Sequence, residues 1–150
     1  ELRAVGAPGP AIGVGTGLVA PTLLVHGPED LCRRFLRPIL TGAHRWCQLF
    51  SEPGAGSDLA SLATRAERDG NGWVVNGQKV WSSGAAQADF GLLLARTDRD
   101  APKHAGITCF VLPMRQPGVE VRPLRQMNGH ASFNEVFLTD ARVPADHVVG

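Results

Sequence analysis

Three hydroxyls, one indole and a run of bare backbone are the groups in this sequence best equipped for chemistry. In "KVWSSG", Trp81 and Ser83 stand two residues apart. Residues i and i+2 of a strand share a face, so the indole plane and the hydroxyl should point the same way. A flat ring needs both: a surface to lie against and a donor at its edge. Ordinary packing of Trp81 in a core, with Ser83 as a turn hydroxyl, is the competing explanation. In "FSEPGAGSD", residues 50–58, two glycines, a proline and an alanine separate Glu52 from Ser57-Asp58. Such a run gives up side-chain packing so that backbone can approach something closely. Ser57-Asp58 could equally cap a helical turn. Ser51 ends the strand that leads into this run.

Other chemistries lack their residues. Neither "GAGSD" nor "GVGTG" continues into the GK[ST] of a phosphate loop. Gly15-x-Gly17-x-x-Ala20 loosely fits a dinucleotide fingerprint, but no strand precedes it and helix packing explains the glycines. No GxSxG elbow makes Ser57 a hydrolase nucleophile. His26, His44, His104, His130 and His147 are scattered without ligand spacing, so no metal site is expected. Cys32, Cys47 and Cys109 form no CxxC pair, and three unpaired thiols suit a reducing cytoplasm. A net charge of +1, from 15 basic and 14 acidic residues, argues against a nucleic-acid partner or a polybasic membrane surface.

The elements that must position these groups follow from periodicity. Residues 4–25 carry no charge, but five glycines and three prolines interrupt them, so a buried helix from near Ala11, kinked at Pro21, is expected rather than a membrane span. In "HGPEDLCRRFLRPILTG", Gly27 ends one helix and Pro28 opens the next at its first position. Leu31, Phe35 and Ile39, with Leu36 and Leu40 beside them, form its apolar stripe, and Gly42 stops it. From Trp46 the period changes to that of strands. "WCQLFS" is the first strand. Asp69-Gly70-Asn71-Gly72 and Asn76-Gly77 predict three strands joined by tight hairpins across residues 64–83. "FGLLLART", "GITCFVLP", "GVEVRPL" and "NEVFLTDARVP" complete about seven short strands, an α+β chain whose larger part is an antiparallel barrel or sandwich. The only domain boundary expected lies near residue 45. The chain of 150 residues begins at Glu1 and stops at Gly150 without a closing element, which suggests a piece of a longer polypeptide.

Together, "CQLFSEPGAGSDLASLATRA", "GWVVNGQKVWSSGA" and "FNEVFLTDARVP" resemble the acyl-CoA dehydrogenase family, in its bacterial and especially actinobacterial branch. The resemblance implies that residues 1–45 end an N-terminal helical domain and that 46–150 form the middle β-domain. A C-terminal four-helix domain would be missing. It implies FAD as cofactor. Gln48, Leu49, Phe50 and Ser51 would run along the flavin, with backbone and the Ser51 hydroxyl on its pyrimidine edge. Trp81 would stack near the isoalloxazine, and Ser82 and Ser83 would lie beside it, Ser83 near N5 and O4. Gly56 and Ser57 would lie where the cofactor's phosphates meet the pantetheine of the substrate, making Ser57 a substrate contact as well. The implied reaction is α,β-dehydrogenation of an acyl-CoA thioester, with electrons passed to an electron-transfer flavoprotein. A homo- or hetero-oligomer, dimer or tetramer, in the cytoplasm is implied for the full-length protein.

The sequence also departs from the family pattern. Ser51 and Ser83 stand where threonine is common, so the hydroxyl is kept and the methyl lost. Gln48 replaces a common aromatic, and the chain contains no tyrosine. The family's catalytic glutamate belongs to the missing C-terminal domain. Glu52, beside Pro53 in a turn, suits a structural acid better than a base, so no catalytic residue is assigned and the 150 residues alone are expected to be inactive. Two alternatives remain. One is a related flavin oxidase, on acyl-CoA or another small substrate. The other is a non-catalytic scaffold subunit of a mixed oligomer.

Overall fold

A computed structural model describes residues 12–150. The expected start of the first helix at Ala11 lies outside the described residues. Helix is present from Val14, first as a π-type turn, Gly15–Val19, then as α1, Ala20–His26. The wide turn sits just before Pro21. There the Ala20 N–H reaches back five residues to the Gly15 carbonyl, and the Thr22 hydroxyl takes the Leu18 carbonyl at 2.8 Å. Proline cannot donate, and its ring crowds the preceding turn, so local widening satisfies the freed groups. A Cβ on Gly15 would lie 3.2 Å from Ile39 and 3.3 Å from Trp46, so this glycine serves packing, as expected.

Helix α2 spans Glu29–Leu40, with Pro28 as its N-cap rather than its first residue. Leu31, Phe35 and Ile39 are buried as the stripe predicts, while Leu40 falls outside it and is 62% exposed. Phe35 meets Trp46 and Phe90 with ring centroids 5.3 and 5.0 Å away, which seats the helix on the sheet.

Seven strands follow: β1 Trp46–Leu49, β2 Arg65–Asp69, β3 Gly72–Lys79, β4 Phe90–Arg96, β5 Ile107–Pro113, β6 Val119–Leu124 and β7 Phe133–Pro144. They form one curled sheet in the order β1-β4-β2-β3-β7-β6, with β5 on the other edge of β4. The β2–β3, β3–β7, β6–β7 and β4–β5 pairs are antiparallel. β1 and β4, however, pair in parallel, from Trp46↔Phe90 to Leu49↔Leu93. The β2–β3 hairpin between them is long enough to serve as a crossover. The α+β architecture is therefore as expected, with a mixed sheet in place of a purely antiparallel one.

The core divides by strand parity. Cys47, Leu49, Leu93, Phe110, Leu112, Val136 and Val143 fill the concave interior. Trp46, Leu92 and Val111 face the other way and pack under Val19, Leu23, Leu31 and Phe35 of the helices.

Only one of the two expected hairpins exists. Asp69-Gly70-Asn71-Gly72 turns β2 into β3, but Asn76-Gly77 lies inside β3 as a bulge against β7. Asn76 and Asp140 explain the difference. The Asn76 Nδ2 donates to Asp140 Oδ1 at 3.0 Å, and the Asp140 N–H donates back to Asn76 Oδ1 at 2.9 Å. Asp140 has a φ of 51° and breaks the alternation of β7, so Val136 and Leu138 before it and Ala141 and Val143 after it all point inward.

Candidate functional site

Strand parity sorts the first group of predicted residues. Trp46, Gln48 and Phe50 fall on the helix-facing side of β1, and Leu49 on the concave side. A cavity of about 160 Å³ opens there, lined by Gln48, Phe50, Ser51, Trp81 and Ser83, with Val14 and Val80 completing its wall. Five residues singled out by sequence thus meet at one place. Val14 and Val80 had no distinguishing signal, because a lone valine reads as core or surface equally well.

The route by which Trp81 and Ser83 arrive differs from the expected one. β3 ends at Lys79, so the two residues do not share a strand face. Instead Trp81 has a φ of 60°, in the left-handed region. A bulky residue held there carries on the order of 1–3 kcal/mol of backbone strain, which the surroundings must enforce. They do so on both sides. The Val80 N–H bonds the Ser51 carbonyl at 2.9 Å. The Ser82 N–H bonds the Asn134 carbonyl at 3.0 Å, and Asn134 returns a backbone and a side-chain N–H to the Ser82 carbonyl. The indole is turned out, 61% exposed, and braced edge-on by Phe133 with centroids 5.9 Å apart. It is not ordinary core.

The remaining predicted residues lie elsewhere. Leu49 is fully buried in the interior and does not line the cavity. Ser82 is 1% exposed, and its hydroxyl is buried without a hydrogen-bond partner. Gly56 and Ser57 sit on the exposed loop after a tight turn, in which Glu52 and Ala55 exchange backbone hydrogen bonds of 2.9 and 3.1 Å. Ser57 borders a separate cavity of about 320 Å³ with Leu59, Leu94, His104 and Ile107. Asp58 beside it accepts from Ser61 Oγ at 2.5 Å and Lys103 Nζ at 2.9 Å, which hold its carboxyl below the usual range.

Glu52 is a structural acid. It is 7% exposed and accepts from the Ala63 and Thr64 N–H groups, at 2.6 and 2.9 Å, and from Lys79 Nζ at 2.8 Å. Burial alone would raise its pKa; the donors, Lys79 foremost, outweigh that and lower it. Lys79 is pushed down by its own burial, which Glu52 only partly offsets. A carboxylate committed to three donors is not poised to take a proton from a substrate, and none of the residues lining the cavity is a carboxylate. Burial pushes the Cys47 and Cys109 thiols up to about 12. Among the described residues, no cluster of His, Cys, Asp and Glu is fit to hold a metal, and no helix is long and apolar enough to cross a membrane.

The sequence model of the acyl-CoA dehydrogenase middle domain matches residues 47–141. The acyl-CoA dehydrogenase FadE34 of Mycobacterium tuberculosis is 56% identical over 131 residues, which cover 87% of this chain and 18% of that protein. Among solved structures, the Tcur3481-Tcur3483 steroid ACAD superposes with a TM-score of 0.87 at 40% identity, over 91% of this chain and 35% of that one. A glutaryl-CoA dehydrogenase from Mycobacterium smegmatis in complex with FADH2 superposes with a TM-score of 0.77 at 29% identity, over 88% of this chain and 33% of that one. The chain thus spans well under half the length of each of these relatives. A family match over most of the described residues, and cavity-lining residues drawn from two of its motifs, lead to one conclusion: the chain belongs to the acyl-CoA dehydrogenase family.

Proposed function

We propose that this chain forms one wall of the FAD site of an enzyme that dehydrogenates an acyl-CoA thioester between its α and β carbons, passing electrons to an electron-transfer flavoprotein. The observation that carries this reading is the convergence of Gln48, Phe50, Ser51, Trp81 and Ser83 on one cavity. The residues suit a flavin. Trp81 offers an exposed flat face, Ser51 and Ser83 offer hydroxyls, and Gln48 offers an amide. At about 160 Å³ the cavity is below the ~300–1,000 Å³ of a complete ligand site, which fits a half-cradle closed by another protein surface.

When bound, FAD supplies the acceptor for the β-hydride. The chain's own part is to bind, orient and exclude water. Trp81 covers a ring face, and Ser83 places a donor where negative charge accumulates as the substrate is oxidised. Gly56 and Ser57 lie on the loop proposed to follow the cofactor's phosphates and the pantetheine arm. The base belongs elsewhere, because Glu52 is committed to structure. In keeping with this, the part up to residue 45 would end a helical domain and 46–150 form the middle domain of a larger chain, inactive on their own. The three free thiols suit a cytoplasmic setting.

The two-part name of the Tcur3481-Tcur3483 enzyme favours one further reading, in which this chain works within a hetero-oligomer. The test is the full-length protein, purified and examined by absorbance. A flavin spectrum that bleaches when an acyl-CoA thioester is added without oxygen is the expected result. A protein that neither retains nor takes up FAD overturns the proposal. Turnover with oxygen alone would move the enzyme to the oxidases, and dependence on a co-expressed partner for bleaching would assign it to a mixed oligomer.

A further inference from the structure

Lys79 is fully buried, yet it is not consumed by its ion pair with Glu52. Its ammonium also donates to the Phe50 carbonyl at 3.0 Å. Two of its bonds therefore bracket Ser51, one to the residue before and one to the residue after. Through Glu52 the pair reaches the Ala63 and Thr64 N–H groups, so three chain segments are pinned to one point. Peptide units are planar, and no cis bond occurs among the described residues. With the Phe50 carbonyl drawn inward to Lys79, the Ser51 N–H of the same peptide unit points the opposite way. Phe50 and Ser51 both border the cavity. The Ser51 N–H has no hydrogen-bond partner among the described residues.

We propose that Lys79 is a positioning residue: by holding the Phe50 carbonyl it fixes the Phe50–Ser51 peptide plane and presents the Ser51 N–H, with its hydroxyl, to the ring system bound in the cavity. This rests on the flavin reading above. A buried lysine is a suitable lever, because an ammonium with carbonyl and carboxylate partners in a dry interior has few alternative geometries. Replacing a buried ion pair by neutral residues of similar volume is often neutral or stabilising, because burying two charges is costly. Stability alone therefore gives little reason for the ion pair, whereas orienting a backbone donor does.

The experiment uses the full-length protein, stripped of flavin and titrated with FAD, with binding and the bound flavin spectrum as readouts. Three variants are compared: Glu52→Gln, Lys79→Met, and the two combined, which leaves no stranded charge. Lys79→Met and the double variant should bind FAD about tenfold or more weakly, with a shifted flavin band, because a backbone donor loses its aim. Glu52→Gln keeps the lysine on Phe50 and should stay within about threefold of the wild type. A folded double variant with wild-type affinity and an unshifted band overturns the inference alone. A double variant that cannot fold assigns the pair to folding and overturns it too. A wild-type protein that takes up no FAD overturns the functional reading and this inference with it.

Discussion

Trp81 combines a left-handed backbone with a mostly exposed ring, two features that a residue kept for packing would not need. Its removal should therefore separate binding from stability. Trp81→Ala is expected to weaken FAD retention roughly tenfold while leaving the melting temperature nearly unchanged, since little of the indole is buried. Holoenzyme content equal to that of the wild type would remove the stacking role. Ser83→Ala should slow flavin reduction in stopped-flow by roughly 10- to 100-fold with a much smaller change in thioester affinity, because its donor acts on developing charge. Equal losses in both would contradict that. At this scale the sequence was informative about residue types and less so about conformation. An indole and a hydroxyl two apart were rightly brought to one cavity. The device that brings them there, a positive φ clamped by Ser51 and Asn134, depends on partners about 30 and 50 positions away and has no local signal.

Strand β3 shows how an element can mislead. Asn-Gly inside an alternating stretch is a strong hairpin signal, yet Asn76-Gly77 is a bulge because Asp140 on β7 supplies Asn76 with both a donor and an acceptor. The same bulge brings β3 against Thr64. A Cβ on Gly77 would lie 2.7 Å from the Thr64 Cα, closer than any real contact. Gly77→Ala should therefore lower stability by ~1–3 kcal/mol in urea titration, as other overpacked sites do. A change within experimental error would mean that β2 and β3 are free to separate there. Helix α2 was legible because an apolar residue every fourth position has one physical meaning. The π turn before Pro21 was not, since proline predicts a kink without saying how the backbone accommodates it.

Across the whole molecule, one contact set ties the helices to the far end of the sheet. His147 Nδ1 bonds the Val111 carbonyl at 2.9 Å, which makes it the donor nitrogen, so Nε2 accepts from Arg34 at 3.0 Å. Arg34 also holds Asp146 at 2.8 Å. Burial lowers the His147 pKa below its usual 6.5, with Arg34 adding to the effect and the Val111 carbonyl and Asp146 opposing it. The unfolded chain therefore binds this proton more readily than the folded one. Its contribution is complete above about pH 6.5 and is lost as pH falls through the lower folded value. Denaturation at a series of pH values should show that decline, and His147→Gln should flatten it. A slope unchanged by the substitution would assign the decline to carboxylates such as Glu52, whose pKa is also lowered in the folded chain. The α+β architecture and the helix-to-sheet boundary were readable from periodicity. The parallel pairing of β1 with β4 was not, because strand direction is a property of the finished topology. That pairing also governs when the cavity can exist. β1 has no strand partner until the chain has travelled more than 40 residues, past the β2–β3 hairpin, to β4. Contacts of such long range form late and slowly. The nascent polypeptide thus has no cavity wall to offer until most of the sheet is in place, and a cofactor added during refolding should accelerate none of the early steps.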